Sequence, residues 1–425
     1  MKIAITGGRV VDPARGTDIA ADVYIAGGKI AAIGAAPGGW SPQRTLDARG
    51  LIVCPGLVDL SARLREPGFE HKATLESELD AACAGGVTSL ACPPDTDPPL
   101  DEPGLVEMLT HRARSQHRVR VHPVGALTQR LEGIEITEMN ELAEAGCVAF
   151  SQADKPVADT QVLLRAMQYA ATFGLAVWLR AQDAWLGRGG VAHEGEIATR
   201  LGLAGVPALA ESVALATLLA LARETGVRLH VCRISSADAV DMIRAAKRDG
   251  LAVTCDVSIH HVHLCDVDIG WFDSLAHFAP PLRGVRDRDA LRRGLQDGTI
   301  DAIASDHAPV DDDAKQLPFA QAEAGATALE LLLPLTLKWA AEAGIGLPQA
   351  LACITSRAGA TLGLAYAGTL EIGAPADLCV FDAAAHWRVE RAALRSQGKN
   401  TPFLGLEMPA QVRYTLMDGQ VVFAA

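Results

Sequence analysis

The chain has 425 residues, of which 49% are apolar, so it can bury a large core, and a barrel plus one smaller domain is a natural partition. Its formal net charge is −13 and its basic residues are scattered without a run, which argues against capture of a nucleic-acid backbone. The N-terminus lacks a signal-peptide core and no apolar stretch is long enough to span a bilayer. The sequence therefore predicts a cytoplasmic protein with neither a nucleic-acid nor a membrane partner.

Short β-like runs separated by glycine turns open the chain, at residues 2–6, 9–11, 22–25 and 29–33. The far end repeats this pattern, at residues 378–381, 413–416 and 421–423. Two such sets around a different middle predict one composite β-sandwich domain, formed by residues 1–55 plus 366–425.

The middle of the chain alternates short β-branched runs with longer segments of helical period, which favours β-α units and a parallel sheet. Eight strand candidates occur, at residues 57–60, 87–92, 119–126, 147–151, 176–179, 228–232, 252–257 and 302–305. Helical stretches lie between them, such as residues 73–84, 160–172, 211–224, 237–248 and 287–296. The fold class predicted is therefore α/β, with a (β/α)8 TIM-like barrel over residues 56–365 whose reactive groups follow the C-terminal strand ends.

The nine cysteines are odd in number, lie mostly inside apolar strand-like runs and include no Cys-x-x-Cys pair. This usage predicts buried, reduced thiols.

Several motifs occur in an order typical of one enzyme family. They are Leu64-Arg65-Glu66-Pro67-Gly68, the helix segment 78–88, His277 to Arg283, Asp306-His307 within residues 304–309, and Gly373 to Asp377. Together they resemble dihydroorotase, of the amidohydrolase superfamily, over nearly the whole chain. The resemblance implies a (β/α)8 barrel with an appended β-sandwich; its catalytic members open the cyclic amide of dihydroorotate with zinc-activated hydroxide.

The metal positions that the resemblance implies are largely lost. Ser61 and Arg63 stand where the family has two histidines, and Arg180 and Arg233 stand where it has two more. Ala153 aligns with the ligand carboxylate, although a slipped register would bring Asp154 into that place, and only Asp306 is retained. Guanidinium has no available lone pair and stays charged, so it cannot ligate zinc. We therefore expect no metal, no cofactor and no catalytic residue, with Asp306 a vestige.

Two roles remain open for the charged groups at the barrel mouth. Asp306 could pair with Arg63, Arg180 or Arg233 and fill the former metal cavity with salt bridges. Alternatively, Arg63, Arg65, Arg180 and Arg233 could converge around a carboxylate or phosphate.

The resemblance bears on this anion-binding alternative residue by residue. Arg65 matches a family arginine that grips the substrate carboxylate. Asp95 replaces the asparagine of the family's Pro-Asn-Thr motif, and Ala279 replaces a second asparagine, so binding of dihydroorotate is doubtful. His307 belongs to a family motif and is a further anion-binding candidate, although a structural role is preferred for it.

A second cluster holds His260, His261 and His263, with Cys265 two residues on. Three histidines so close together could form a relocated metal site. The family also has a histidine pair here, outside its main ligand set, so hydrogen bonding in a loop is the preferred role.

The resemblance is strongest to inactive dihydroorotase-like subunits that some bacteria make alongside aspartate transcarbamoylase. It implies a non-catalytic protein that docks transcarbamoylase catalytic chains and stabilises or regulates that complex in pyrimidine biosynthesis. One rival is an active dihydroorotase or other cyclic-amide hydrolase with an atypical site, in which Asp306 is general base and Arg65 orients substrate. A third function is a small-anion sensor. A homodimer is expected from the superfamily, and whether residues 311–316 close over the mouth as a lid stays open.

Overall fold

The computed structural model describes all 425 residues, and its strands form a parallel barrel and a strand-rich sheet built from the two chain ends. The strands are β1 (Lys2–Asp12), β2 (Thr17–Ala26), β3 (Lys29–Ile33), β4 (Arg44–Asp47), β5 (Ile52–Pro55), β6 (Leu57–Asp59), β7 (Val87–Cys92), β8 (Arg120–Ala126), β9 (Ala149–Ser151), β10 (Ala176–Leu179), β11 (Ala192–His193), β12 (Gly205–Val206), β13 (Arg228–Val231), β14 (Val253–Ser258), β15 (Ala302–Ala304), β16 (Leu378–Arg388), β17 (Glu407–Met417) and β18 (Gln420–Ala424).

The helices lie mainly between the barrel strands. They are α1 (Leu75–Ala84), α2 (Pro103–Gln116), α3 (Met139–Ala145), α4 (Thr160–Thr172), α5 (Glu196–Leu201), α6 (Leu209–Thr225), α7 (Ala237–Arg248), α8 (Ile259–His263), α9 (Val285–Asp297), α10 (Asp312–Gln316), α11 (Leu332–Ala343), α12 (Leu347–Ala352) and α13 (Ser356–Leu362). Local sequence sets several starts: Thr74 caps α1 by accepting from the Ser77 amide, and Ser236 caps α7 by accepting from the Ala239 amide. None of these helices is both long enough and apolar enough to cross a membrane.

The terminal sheet has the order β18-β17-β16-β5-β1-β2-β3, with β4 beside the first half of β1. A register shift between Ile5 and Gly8 interrupts β1, so its first half pairs with β4 and its second half with β5. Ile3, Val23 and Leu378 belong to a cluster of 14 buried residues that is the sheet's own core. Strands from both ends of the chain are thus joined by one hydrogen-bonded ladder.

The barrel has the order β6-β7-β8-β9-β10-β13-β14-β15, and every neighbouring pair is parallel. Asp59 on β6 brings the two outer strands together, since its carboxylate accepts from the Ser305 amide at 2.7 Å and from the Ser305 hydroxyl. Just beyond the strands, the His307 amide donates to the Ser61 carbonyl at 3.1 Å. The predicted α/β barrel is confirmed, and each predicted barrel strand lies within two residues of the observed bounds.

The barrel and the sheet share a hydrophobic cluster of 73 buried residues, which includes Leu90 of the barrel and Cys379 and Val412 of the sheet. The connection between β16 and β17 also lies on the barrel, because Ser396 and Gln397 donate to Glu78 of α1. The nine cysteines form no disulfide; eight are buried and Cys232 is half-buried.

Candidate functional site

Six charged side chains meet at the C-terminal end of the barrel. Each follows a different strand, and they are Arg63 after β6, Asp95 after β7, Asp154 after β9, Arg180 after β10, Arg233 after β13 and Asp306 after β15. Parallel strands end on the same face of a barrel, so the topology itself brings these distant residues together.

Three of the strand ends share an unusual backbone turn. Ala153, Arg233 and Asp306 each lie two residues beyond a strand, and each has φ of 51°. A residue with a Cβ pays about 1–2 kcal/mol to adopt the left-handed region. These three residues therefore hold a strained backbone that their own conformational preferences would not select. It sets the direction of the side chains that follow the strand, whatever their chemistry.

Asp154 is the centre of the cluster. Its Oδ2 accepts from Nη2 of Arg63 at 2.6 Å, and its Oδ1 accepts from Nη2 of Arg233 at 2.5 Å. Arg180 Nε lies 2.9 Å from the same Oδ1 without hydrogen-bond geometry, and its Nη2 donates to the Asp154 carbonyl at 3.1 Å. The aspartate one residue beyond Ala153 therefore occupies the mouth and binds three guanidinium groups.

Two further carboxylates complete the cluster. Asp306 Oδ1 accepts from Arg233 Nη1 at 2.9 Å and lies 3.5 Å from Arg63 Nη1. Asp95 accepts from Arg63 Nε at 2.7 Å. Arg180 is not among the partners of Asp306, and its ion pair is with Asp154.

Burial and charge act in opposition on these groups. Burial alone would raise the pKa of Asp154, but Arg233, Arg63 and Arg180 outweigh it and hold that pKa below its ordinary value. Burial raises the pKa of Asp306 by more than Arg233 and Arg63 lower it. Burial lowers the pKa of Arg180 by more than Asp154 compensates. Asp154 is consequently more firmly ionised than Asp306.

Arg65 lies at the edge of the mouth and outside the Asp154 cluster. Its Nε donates to the Pro309 carbonyl at 2.8 Å, and its Nη2 lies 3.6 Å from Glu323. Glu323 in turn accepts from Lys72 Nζ at 2.7 Å through each oxygen. No motif indicated Glu323 or Lys72.

A cavity of about 460 Å³, counting its open side, remains at the mouth. Its charged lining residues are Arg63, Arg65, Arg233, Asp95, Asp154, Asp306 and Glu323. Three guanidinium groups thus face four carboxylates, so an entering anion would meet no surplus of positive charge. This balance disfavours an anion site here.

His307 does not belong to the mouth, which removes it as an anion-binding residue. Its Nδ1 accepts from the amides of Ala328 at 3.1 Å and Leu329 at 3.2 Å, and its Nε2 donates to Glu78. The side chain is 1% exposed and both ring nitrogens are used. The residue ties β15 to α1.

The histidines of α8 do not converge on a common point. His261 Nε2 donates to the Pro280 carbonyl at 3.1 Å, and His263 Nε2 donates to the Leu335 carbonyl at 2.9 Å. His260 packs against the rings of Phe278 and Phe403, and neither of its ring nitrogens has a hydrogen-bond partner. A relocated metal site is therefore not formed by these residues.

One group of metal-ligand type does occur elsewhere, formed by His230, Cys232 and Asp256. The His230 and Asp256 side chains already have partners: His230 Nδ1 contacts Thr254 Oγ1 and His230 Nε2 contacts Asp256 Oδ2, both at 2.8 Å. Asp256 Oδ1 also accepts from the Arg233 amide at 2.8 Å. The group acts as a support that fixes the turn at Arg233.

The zinc that the resemblance implies does not fit the mouth. Arg63, Arg180 and Arg233 offer no lone pair, and those arginines already bind both oxygens of Asp154 and the Oδ1 atom of Asp306. A cation would therefore have to displace guanidinium groups from these carboxylates before it could bind.

Sequence comparison with named proteins shows which family this chain belongs to. A sequence profile described as dihydro-orotase-like matches residues 50–239. A protein of Pseudomonas putida named dihydroorotase-like protein is 46% identical over 421 residues, which cover 99% of each chain. This chain belongs to the dihydroorotase-like family. A Geobacter protein named dihydroorotase is 41% identical to this chain over 428 residues, which cover 100% of both chains.

Solved structures share the fold of this dihydroorotase-like protein. An L-hydantoinase (dihydropyrimidinase) from Arthrobacter aurescens superposes with a TM-score of 0.88 at 24% identity, covering 99% of this chain and 95% of that one. A D-hydantoinase from Thermus sp. gives 0.85 at 21% identity, covering 100% and 96%. These similarities establish the (β/α)8 barrel with its terminal sheet.

Proposed function

We propose that this dihydroorotase-like protein is non-catalytic and acts as a structural and regulatory partner of aspartate transcarbamoylase in pyrimidine biosynthesis. The claim that the protein is non-catalytic rests on one observation, the contact of Asp154 with Arg63, Arg180 and Arg233. Where the active family would hold a metal, this chain has a set of ion pairs that needs none.

The same contacts weaken the hydrolase alternative. Asp306 would have to act as general base, but its Oδ1 accepts from Arg233 and lies near Arg63. Arg65 would have to orient the substrate, but its Nε is bound to the Pro309 carbonyl. Both residues are thus engaged by neighbouring groups, which disfavours these catalytic roles.

The partner is proposed from the family resemblance, and the surface offers a place to look for it. Trp271 is 86% exposed, and Phe272 beside it has φ of 62°, an uncommon backbone for a bulky residue. Val267 is exposed in the same loop. Exposed apolar clusters of this kind mark protein interfaces, and aromatic side chains are enriched at their centres.

Catalysis is tested by measuring ring opening of dihydroorotate with purified protein dialysed against zinc. We expect no turnover above the buffer rate, and the same result for Asp306→Ala. Turnover with zinc that Asp306→Ala abolishes would show that the protein is an enzyme, and the first half of the proposal would be wrong.

The partner role is tested by size-exclusion chromatography with light scattering, using aspartate transcarbamoylase catalytic chains at micromolar concentration. We expect a joint complex, and for the chain alone the mass of the homodimer we also propose. Trp271→Ser should weaken the complex, whereas Trp185→Ser, a second exposed tryptophan, should not. Absence of any joint complex would contradict the partner role.

A further inference from the structure

A second cavity lies beside the mouth, between α4 and α6 and the strand ends of β9 and β10. It holds about 640 Å³, counting its open entrance, which falls within the range of small-molecule sites. Leu163, Leu179 and Leu218 form its apolar walls, and each is about 5% exposed or less. We call this the side cavity. Trp185 stands at its entrance with Arg188 stacked over its ring.

Two buried donors in the side cavity lack acceptors. Gln152 is 2% exposed; its Oε1 accepts from Thr128 Oγ1 at 3.0 Å, whereas its Nε2 has no partner. The Thr128 hydroxyl itself accepts from the Gly133 amide, which fixes the orientation of the Gln152 amide. A buried N–H without an acceptor is energetically costly, so a ligand oxygen placed here would relieve that penalty.

Arg180 is the second of these donors and separates the side cavity from the mouth. Its side chain is 7% exposed, and of five N–H donors only one makes a hydrogen bond, from Nη2 to the Asp154 carbonyl. Its Nε is buried without a hydrogen-bond partner. Arg180 lines the side cavity but not the mouth cavity.

The charges around the side cavity favour an anionic head group. Lys155 adds an exposed positive charge at the entrance. The one carboxylate in the lining, Asp183, accepts from the amides of Trp185 and Leu186 at 2.9 and 2.8 Å and is thereby held in its own turn.

We propose that the side cavity binds a small monocarboxylate with an apolar body, whose carboxylate accepts from Arg180 and Gln152 while its hydrocarbon part packs on the three leucines. A guanidinium and an amide that line one cavity can each donate to an oxygen of the same carboxylate. The site shares Arg180 with the charged cluster at the mouth, but it does not depend on the proposed partner role.

Isothermal titration calorimetry with benzoate and butanoate tests this directly, with benzamide as the neutral match of benzoate. We expect benzoate to bind with a Kd of about 1 mM or lower, and benzamide at least about tenfold more weakly. Arg180→Gln should weaken benzoate at least about tenfold, and Ala214→Phe, which fills the cavity from α6, should abolish binding. Arg223→Gln removes an exposed charge from the same helix and should leave binding unchanged.

Three results would overturn the proposal. One is no heat for either acid up to about 10 mM with the unmodified protein. Another is equal binding of benzamide and benzoate, since this comparison needs no variant to fold. The third is unchanged benzoate binding in correctly folded Arg180→Gln or Ala214→Phe protein.

Discussion

Asp154 is the residue on which the charged cluster at the barrel mouth is centred. A zinc ion would gather neutral or negative ligands around positive charge, whereas here one carboxylate gathers three guanidinium groups. Paired buried charges hold a geometry well but add uncertain net stability, so removal of one partner is the informative perturbation.

Asp154→Asn leaves Arg63, Arg180 and Arg233 facing one another without their shared carboxylate. We expect it to lower the free energy of unfolding by about 2–3 kcal/mol, a value reduced because the Asp154 side chain is 34% exposed. Asp95→Asn, which removes a partner from Arg63 alone, should cost less. Urea unfolding of both variants measures the difference, and equal losses would mean that Asp154 is not the centre.

At the scale of elements, the strands were predictable and much of the site was not. Both ends of β7 and of β10 agree with the predicted ranges. A short β-branched run between a glycine and a helical segment is compatible with little other than a strand. The arginines at the strand ends followed from motif spacing. The role of Asp154 did not, since it depends on the left-handed turn at Ala153.

Other contacts carried no local signal in the sequence. Glu323 reaches Arg65 and Lys72 from a loop far along the chain, and no periodicity or motif marks it. The segment between β16 and β17 reads as part of the β domain, yet it packs on α1 through Ser396. Such contacts are set by tertiary packing, which a single sequence does not display.

The join between β6 and β15 gives a pH prediction. Burial raises the pKa of Asp59 to about 6, against hydrogen bonds from Ser305 that lower it. Since the unfolded pKa is about 3.9, the folded protein holds more protons between about pH 4 and 6, and stability falls as pH rises through that window. Asp59→Asn should remove up to about 1.4 kcal/mol per pH unit of this slope. Unfolding free energies measured across the window check it; an unchanged slope would contradict the assignment.

For the whole molecule, the barrel and the terminal sheet are joined by more than the chain. Arg120 of β8 pairs with Asp377 at 3.1 Å, and Thr415 of β17 donates to the Cys83 carbonyl of α1 at 2.7 Å. The shared hydrophobic cluster crosses the same boundary. Two units that share a hydrophobic core should unfold in one cooperative transition.

Scanning calorimetry should accordingly show one unfolding transition for the full chain. Arg120→Gln removes a cross-boundary ion pair and should lower the Tm by about 1–2 °C without splitting the peak. Two resolved transitions in the unmodified protein would show that the sheet and the barrel unfold independently.

The central claim is that ion pairs have replaced the metal at the barrel mouth, and anomalous X-ray scattering at the zinc edge tests it most directly. Crystals grown with zinc in excess should show no anomalous peak within about 2.0–2.3 Å of Asp154 or Asp306, with Arg63 and Arg233 still bound to them. A peak at that distance from both carboxylates, with the arginines displaced, would contradict the account.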